Sequence, residues 1–270
     1  MGAFRNEEVS TLLGDFYEYH TAKNRSGMDA TLKRIENMLF SGEVDSDAFR
    51  DYFNDIFCGR SSFNVNLTIT DYPKQSVLRE LMQNTFGCDY DDKDIKVIIE
   101  FLDEGRVRIN YNEVGFNLEQ VFYYLSVGRN DGDRRREGRF GLGSKSVFLN
   151  VEWFTLRSNN FRFRVVNDGG IIRIRELDLT AVKYKGTEIV FKVPEEDYQQ
   201  MREDLLTLTS RKGVYISMAE FAFAFIKKKY LKSNDEDECH ERTFNIAIID
   251  KSKPKVLYKV AMHRADGNSV

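Results

Sequence analysis

Leu12, Leu13, Phe16 and Tyr17 fall at i, i+1, i+4 and i+5, and Leu32, Ile35, Met38 and Leu39 repeat a helical spacing. Apolar residues three and four apart share one helix face, so each set predicts an amphipathic helix. Ser46-Asp47 ahead of Phe49, Tyr52, Phe53 and Ile56 predicts a third, with the polar pair at its start. Residues 1–65 are therefore expected to form a helical extension that docks on a main domain or on another protein.

Past Asp71 the pattern changes. Pro73 suits a helix start, and Val77, Leu78, Leu81 and Met82 mark one apolar face behind it. Two strand-like runs follow, Ile95 to Leu102 and Val107 to Asn110, separated by the hairpin signal Asp103-Glu104-Gly105. A short helix is expected over Leu118 to Leu125, then a segment dense in glycine and charge from Gly128 to Gly143. After the apolar run Val147 to Phe154, alternation predicts strands over Phe161 to Val166, Ile171 to Leu177 and Thr187 to Val193, with a turn at Asn167-Asp168-Gly169-Gly170. Helical spacing returns over Glu195 to Leu208 and Met218 to Tyr230, the acidic stretch Asn234 to Glu238 reads as a solvated loop, and Phe244 to Ile249 and Val256 to Ala261 read as strands. Strands that follow one another by short turns, with helices grouped before and after, predict an α+β two-layer sandwich rather than a parallel doubly wound sheet. The expected division is a helical extension (1–65), a central domain (66–212) and a C-terminal helix with a β-hairpin (213–270).

Composition narrows the function little. The formal net charge of −3 gives no global electrostatic case for nucleic acid or an anionic membrane. No apolar run reaches the roughly 20 residues that cross a bilayer, and Met1 to Glu8 lacks the apolar stretch of a signal peptide. Three scattered cysteines make neither a disulfide framework nor a zinc site, so free thiols in a cytoplasmic setting are expected.

Four short segments carry candidate chemistry. Glu80 and Asn84 lie four apart on a predicted helix, so both side chains leave one face while Leu78, Leu81 and Met82 bury the other. Asn112-Glu113-Val114-Gly115-Phe116 follows a strand, and Gly115 there permits positive φ or close approach to a ligand. Gly138-Arg139-Phe140-Gly141-Leu142-Gly143-Ser144-Lys145-Ser146 offers backbone N–H groups to an anion as it opens a helix. It is no P-loop, because Ser144 separates Gly143 from Lys145 and the preceding Arg134-Arg135-Arg136 is no buried strand. Nor is it a dinucleotide fingerprint, since Ser146 stands where the third glycine belongs. Lys185-Gly186-Thr187 is a turn that enters a strand.

In this order and spacing the four segments resemble the motifs of the gyrase/Hsp90/histidine-kinase/MutL ATPases. Gly138 to Gly143 followed by Ser146-Val147-Phe148-Leu149 is similar to the Hsp90 branch, and Asn112 to Phe116 to the sacsin-like subgroup. The resemblance spans about Ser76 to Val193. It implies a Bergerat-type fold, with ATP held between helices and a glycine-rich lid. It makes Glu80 the base that activates water, and Asn84 the ligand of Mg²⁺. Gly138, Gly141 and Gly143, with Lys145 and Ser146, would meet the phosphates. Thr187 would sit under the adenine, and Asn112 and Gly115 would line the pocket. Histidine-kinase membership is disfavoured, because His20 is the only histidine ahead of the motifs and no acidic residue follows it.

One position departs from the family. An aspartate that accepts from the adenine amino group usually stands four residues before the glycine matched by Gly115, and Tyr111 stands there instead. Asn112 or Glu113 are the substitutes at hand. If neither serves, binding would rest on triphosphate and Mg²⁺, with ATP preferred over GTP by less than about 30-fold. Related ATPases complete their sites by dimerisation and a following domain. The chain is accordingly expected to be the N-terminal part of a larger conformational ATPase, chaperone-like or defence-type. The alternative expectation is a nucleotide-sensing scaffold module that binds without turnover.

Overall fold

The structure is a computed structural model that describes residues 6–55, 76–88, 90–92, 94–125, 143–168, 171–206, 243–250 and 253–261. Gly138, Gly141 and most of the glycine-rich segment, Pro73, Ile56, the helix expected at Met218 to Tyr230 and the acidic loop lie outside the described residues. The elements are α1 (Asn6–Thr21), α2 (Arg25–Phe40), α3 (Ser46–Phe53), α4 (Ser76–Gly87), β1 (Asp94–Phe101), β2 (Arg106–Tyr111), α5 (Leu118–Leu125), α6 (Gly143–Asn150), β3 (Trp153–Asp168), β4 (Ile171–Lys192), α7 (Glu195–Leu206), β5 (Thr243–Asp250) and β6 (Lys253–Ala261).

Helices cover one face of a six-stranded sheet in the order β3-β4-β2-β1-β5-β6, an α+β sandwich. Neighbours run antiparallel except β1 and β5, which are parallel. The strand period of two sets the layering. Ile95, Val97, Ile99 and Phe101 of β1 and Val107, Ile109 and Tyr111 of β2 are buried, whereas Lys96, Glu100, Arg106 and Arg108 alternate onto the other face. There Arg108 reaches Glu100 at 3.1 Å and Glu188 at 3.6 Å, tying β2 to both of its neighbours.

Local chemistry fixes the helix starts. Asn24 caps α2 by accepting from Gly27 N–H at 3.1 Å, and Asp45 caps α3 by accepting from Asp47 N–H at 3.3 Å. The apolar faces of α1, α2 and α3 then join the same continuous core as α4 to α6 and the sheet. Phe122 of α5 has its ring centroid 4.8 Å from that of Phe16 and 5.1 Å from that of Phe53, the second pair stacked. Arg25 of α2 grips Glu119 of α5 with both terminal guanidinium nitrogens. Asn54 fits its amide to the backbone of β4, donating to Ile174 C=O and accepting from Ile174 N–H, each at 2.9 Å. A side chain thus does there what a neighbouring strand would do, since β2 pairs only with Thr187 to Lys192.

The β3–β4 hairpin departs from the expected pattern. Ile171 to Leu177 and Thr187 to Val193 were two expected strands, and they form one 22-residue strand. The register passes from Ser158 opposite Thr187 to Asn159 opposite Tyr184, so Lys185 and Gly186 bulge out with no partner on β3. A glycine beside a lysine signals a turn in sequence; here it marks a bulge, which bends the strand without ending it.

Candidate functional site

Helix α4 buries Val77, Leu78, Leu81 and Met82, as its spacing predicts, but Glu80 is buried too, at 7% exposure. An i,i+4 pair on a solvated face would leave both groups in water; instead Glu80 is enclosed and Asn84 is half-buried. The helix is held at its C-terminal end by polar contacts. Thr85 donates its hydroxyl to Leu81 C=O at 3.0 Å, Tyr90 donates to Thr85 C=O at 2.7 Å, and the Cys88 thiol donates to Asn84 C=O at 3.2 Å.

Helix α6 begins at Gly143 and packs against α4, so the end of the glycine-rich segment meets the Glu80–Asn84 helix. Gly143, Lys145 and Ser146 all lie in the first turn of α6, where backbone N–H groups lack intrahelical partners. Val147 and Phe148 anchor that turn in the core, with Phe148 edge-on to Phe154 of β3 at 5.0 Å.

Tyr124 of α5 lies among these elements. Its ring is 5.4 Å from Phe116, 5.9 Å from Phe148 and 6.0 Å from Phe154. Burial drives its phenol far above the ordinary tyrosine range, Cys88 and Glu113 push in the same direction, and the nearby Asn84 amide opposes them. Tyr111 behaves alike: burial raises its phenol well above the usual value, with Glu113 the next cause. Both are neutral phenols at physiological pH.

The segment after β2 sorts its side chains by function. The Asn112 amide is engaged in the sheet: it accepts from Lys96 N–H at 2.7 Å and donates to Asp94 C=O at 3.0 Å and to Asp92 at 3.2 Å. It fastens the end of β2 to the start of β1, away from Thr187. Glu113 turns inward instead, is 7% exposed, and accepts from the Thr187 hydroxyl. Of Asn112 and Glu113, Glu113 is the one beside Thr187.

Thr187 is 1% exposed and its hydroxyl oxygen lies 2.5 Å from Ser158 Oγ, which is fully buried on β3. Ser158 also accepts from Phe116 N–H at 2.9 Å, and the Asn159 amide donates to Phe116 C=O at 3.1 Å. The backbone after Gly115 is therefore pinned from β3 through both the N–H and the C=O of Phe116. Gly115 has φ +97°, and a Cβ there would stand 3.2 Å from Asn159 Cβ. Ser158 is a residue of this cluster that the sequence analysis did not single out. Its signal was available, because Phe154, Leu156 and Ser158 share the inward alternation and a serine in that series needs a polar partner.

A separate cavity of about 690 Å³ lies where the end of α2 meets the bulged hairpin, lined by Glu36, Phe40, Asn117, Asn159, Asn160 and Lys183. None of the sequence-predicted site residues lines it. No helix among the described residues is long and apolar enough to cross a membrane, and no group of three metal-binding side chains occurs among them. Compared with known protein families and with curated proteins, the chain matches none.

Proposed function

We propose that the chain binds Mg-ATP and hydrolyses it, as an Hsp90-like domain of the gyrase/Hsp90/histidine-kinase/MutL type. The observation that carries this reading is the buried contact between Glu113 and Thr187, 74 residues apart in sequence. It joins the second and fourth of the segments on which the resemblance rests. The packing of α4 on α6 joins the first and third.

Roles follow from chemistry and placement. Glu113 and Thr187 form the adenine end, with the carboxylate accepting from the exocyclic amino group. Gly143, Lys145 and Ser146 belong to the phosphate end, where the first turn of α6 presents N–H donors to an anion. The Asn84 amide oxygen is a hard donor suited to Mg²⁺, which takes its remaining ligands from phosphate and water and needs no protein cage. The metal, when bound, neutralises charge on the phosphates. Glu80 takes the proton of the water whose oxygen bonds to the γ-phosphorus while the bond from that phosphorus to the ADP oxygen breaks. Phosphoryl transfer asks mainly for such positioning. We place the domain in a larger, dimerising conformational ATPase.

Titration of the protein with ATP, with and without Mg²⁺, alongside phosphate release, tests the proposal. Magnesium-dependent binding with slow turnover is expected. Binding without turnover would favour the sensing module, and no binding under either condition would overturn both.

A further inference from the structure

The hydroxyls of Thr187 and Ser158 and the Phe116 N–H form a chain whose direction can be worked out. The Thr187 hydroxyl donates to Glu113, which commits its proton to that contact. A threonine hydroxyl has one proton, so at 2.5 Å from Ser158 Oγ the oxygen of Thr187 can only accept. Two oxygens that close without a shared proton would repel, which assigns the serine proton to this contact. The competing acceptor, Gly186 C=O, lies at 3.5 Å, the outer limit of a hydrogen bond. Ser158 Oγ then accepts from Phe116 N–H at 2.9 Å.

We infer that Ser158 is a positioning residue for base recognition: it fixes the Thr187 hydroxyl as a donor to Glu113 and locks the Gly115–Phe116 turn in the same register. The inference rests on the proposal that Glu113 and Thr187 meet the adenine, and it adds the residue that sets their aim. Thr187 can turn about its Cα–Cβ bond, and Glu113 has more freedom still. Their mutual hydrogen bond alone leaves the pair free to move together. Ser158 sits on β3, in the sheet, and bonds to both the hydroxyl and the turn that follows Glu113. It therefore holds the carboxylate from the hydroxyl side and from the backbone side. Selectivity for a 6-amino purine over a 6-oxo purine depends on that aim, because an acceptor in fixed position welcomes an N–H and repels a carbonyl.

The test uses the full chain and compares dissociation constants for Mg-ATP and Mg-ITP, which differ at the purine 6-position among the groups that face Glu113. Wild type should prefer ATP. Ser158→Ala removes one buried oxygen and should cut the ATP-to-ITP preference by about tenfold, through weaker ATP binding. Ser158→Thr restores the hydroxyl and should recover most of the preference. ITP affinity reports whether each variant is folded, since a misfolded protein loses both ligands. Ser158→Ala and Thr187→Val combined should lose no more preference than Thr187→Val alone, because the two act in one chain. A wild type that prefers ATP, with Ser158→Ala unchanged in preference, overturns the role of Ser158 and leaves the ATPase proposal standing. Equal weakening of ATP and ITP in Ser158→Ala marks a purely structural serine and also overturns it. A wild type that binds neither nucleotide overturns the proposal beneath it.

Discussion

The carbonyl oxygen of Tyr111 lies against the backbone of Gly186, so closely that a Cβ on residue 186 would stand 2.4 Å from it. Gly186 also holds φ +84°, a conformation that side chains resist. The bulge of β4 thus nests on the end of β2, directly before Thr187. Gly186→Ala should destabilise the protein by at least about 1–3 kcal/mol, from backbone strain and the forced separation of the strands. Gly14, in α1 with nothing within 4 Å of an added Cβ, is the contrast. Gly14→Ala should stabilise by about 0.5–1 kcal/mol. Denaturant midpoints of the two variants should move in opposite directions.

Glu80 and Asn84 are one helical turn apart and are assigned to different steps. Glu80→Ala should abolish phosphate release while nucleotide affinity stays within a few-fold, since the carboxylate acts on water and not on the ground state. Asn84→Ala should weaken Mg-nucleotide binding by about 1–3 kcal/mol. Calorimetric titration beside a turnover assay reads both, and equal loss of binding in the two variants would sink the assignment.

Base selectivity was expected to be weak while Tyr111 stood in for an aspartate. With Glu113 beside Thr187, the expectation changes to a preference for ATP over GTP above about 30-fold, which is about 2 kcal/mol. Glu113→Gln should erase most of it, because an amide can present a donor as well as an acceptor. Tyr111→Phe should leave it intact. Competition titrations with the four nucleoside triphosphates decide the matter, and a Tyr111→Phe variant without preference would return the role to the phenol.

Tyr111 and Tyr124 are buried as neutral phenols whose folded values are raised. The unfolded chain ionises tyrosine at about pH 10. Below that pH the stabilising effect of keeping both phenols neutral is fully present. Above it the unfolded state releases protons that the native state keeps, and stability falls as pH rises. Tyr111→Phe with Tyr124→Phe should flatten that alkaline decline. Urea midpoints measured from neutral pH to above pH 10 would show it, and parallel curves for variant and wild type would refute it.

Among the contacts that bind the N-terminal helices to α5, a surface ion pair and a buried ring differ in magnitude. Arg25 is 59% exposed, so its bidentate pairing with Glu119 is expected to contribute no more than about 1 kcal/mol. Phe122 is 1% exposed between Phe16 and Phe53, and Phe122→Ala should cost about 3–5 kcal/mol. Thermal unfolding of Arg25→Ala and Phe122→Ala would separate the two contributions.

Much of the architecture was legible because it is local. The period of two in Ile95, Val97 and Ile99, and the 3.6 period around Leu32 and Ile35, report burial directly, and α1, α2, β1 and β2 lie where these patterns place them. The parallel pairing of β1 with β5 was not legible, since no short-range signal links Ile98 to Ala247. Gly186 misled for a physical reason: positive φ serves a bulge as well as a turn, and only the strand opposite distinguishes them. At the site, spacing placed Glu80 and Asn84 on one face but could not show that Glu80 is enclosed. Asn112 and Glu113 are adjacent in sequence and face different partners, which depends on how β2 ends. Ser158 lay unnoticed because its partners, Phe116 and Thr187, come from segments on either side of it in the chain.

Because Phe122 is held by Phe16 and Phe53, the helix that leads toward the glycine-rich segment takes its footing from the beginning of the chain. The four-motif block is therefore not a transplantable cassette. A chimera joined near residue 65 would carry the four segments without the helices that share their core, so the smallest exchangeable module begins with α1.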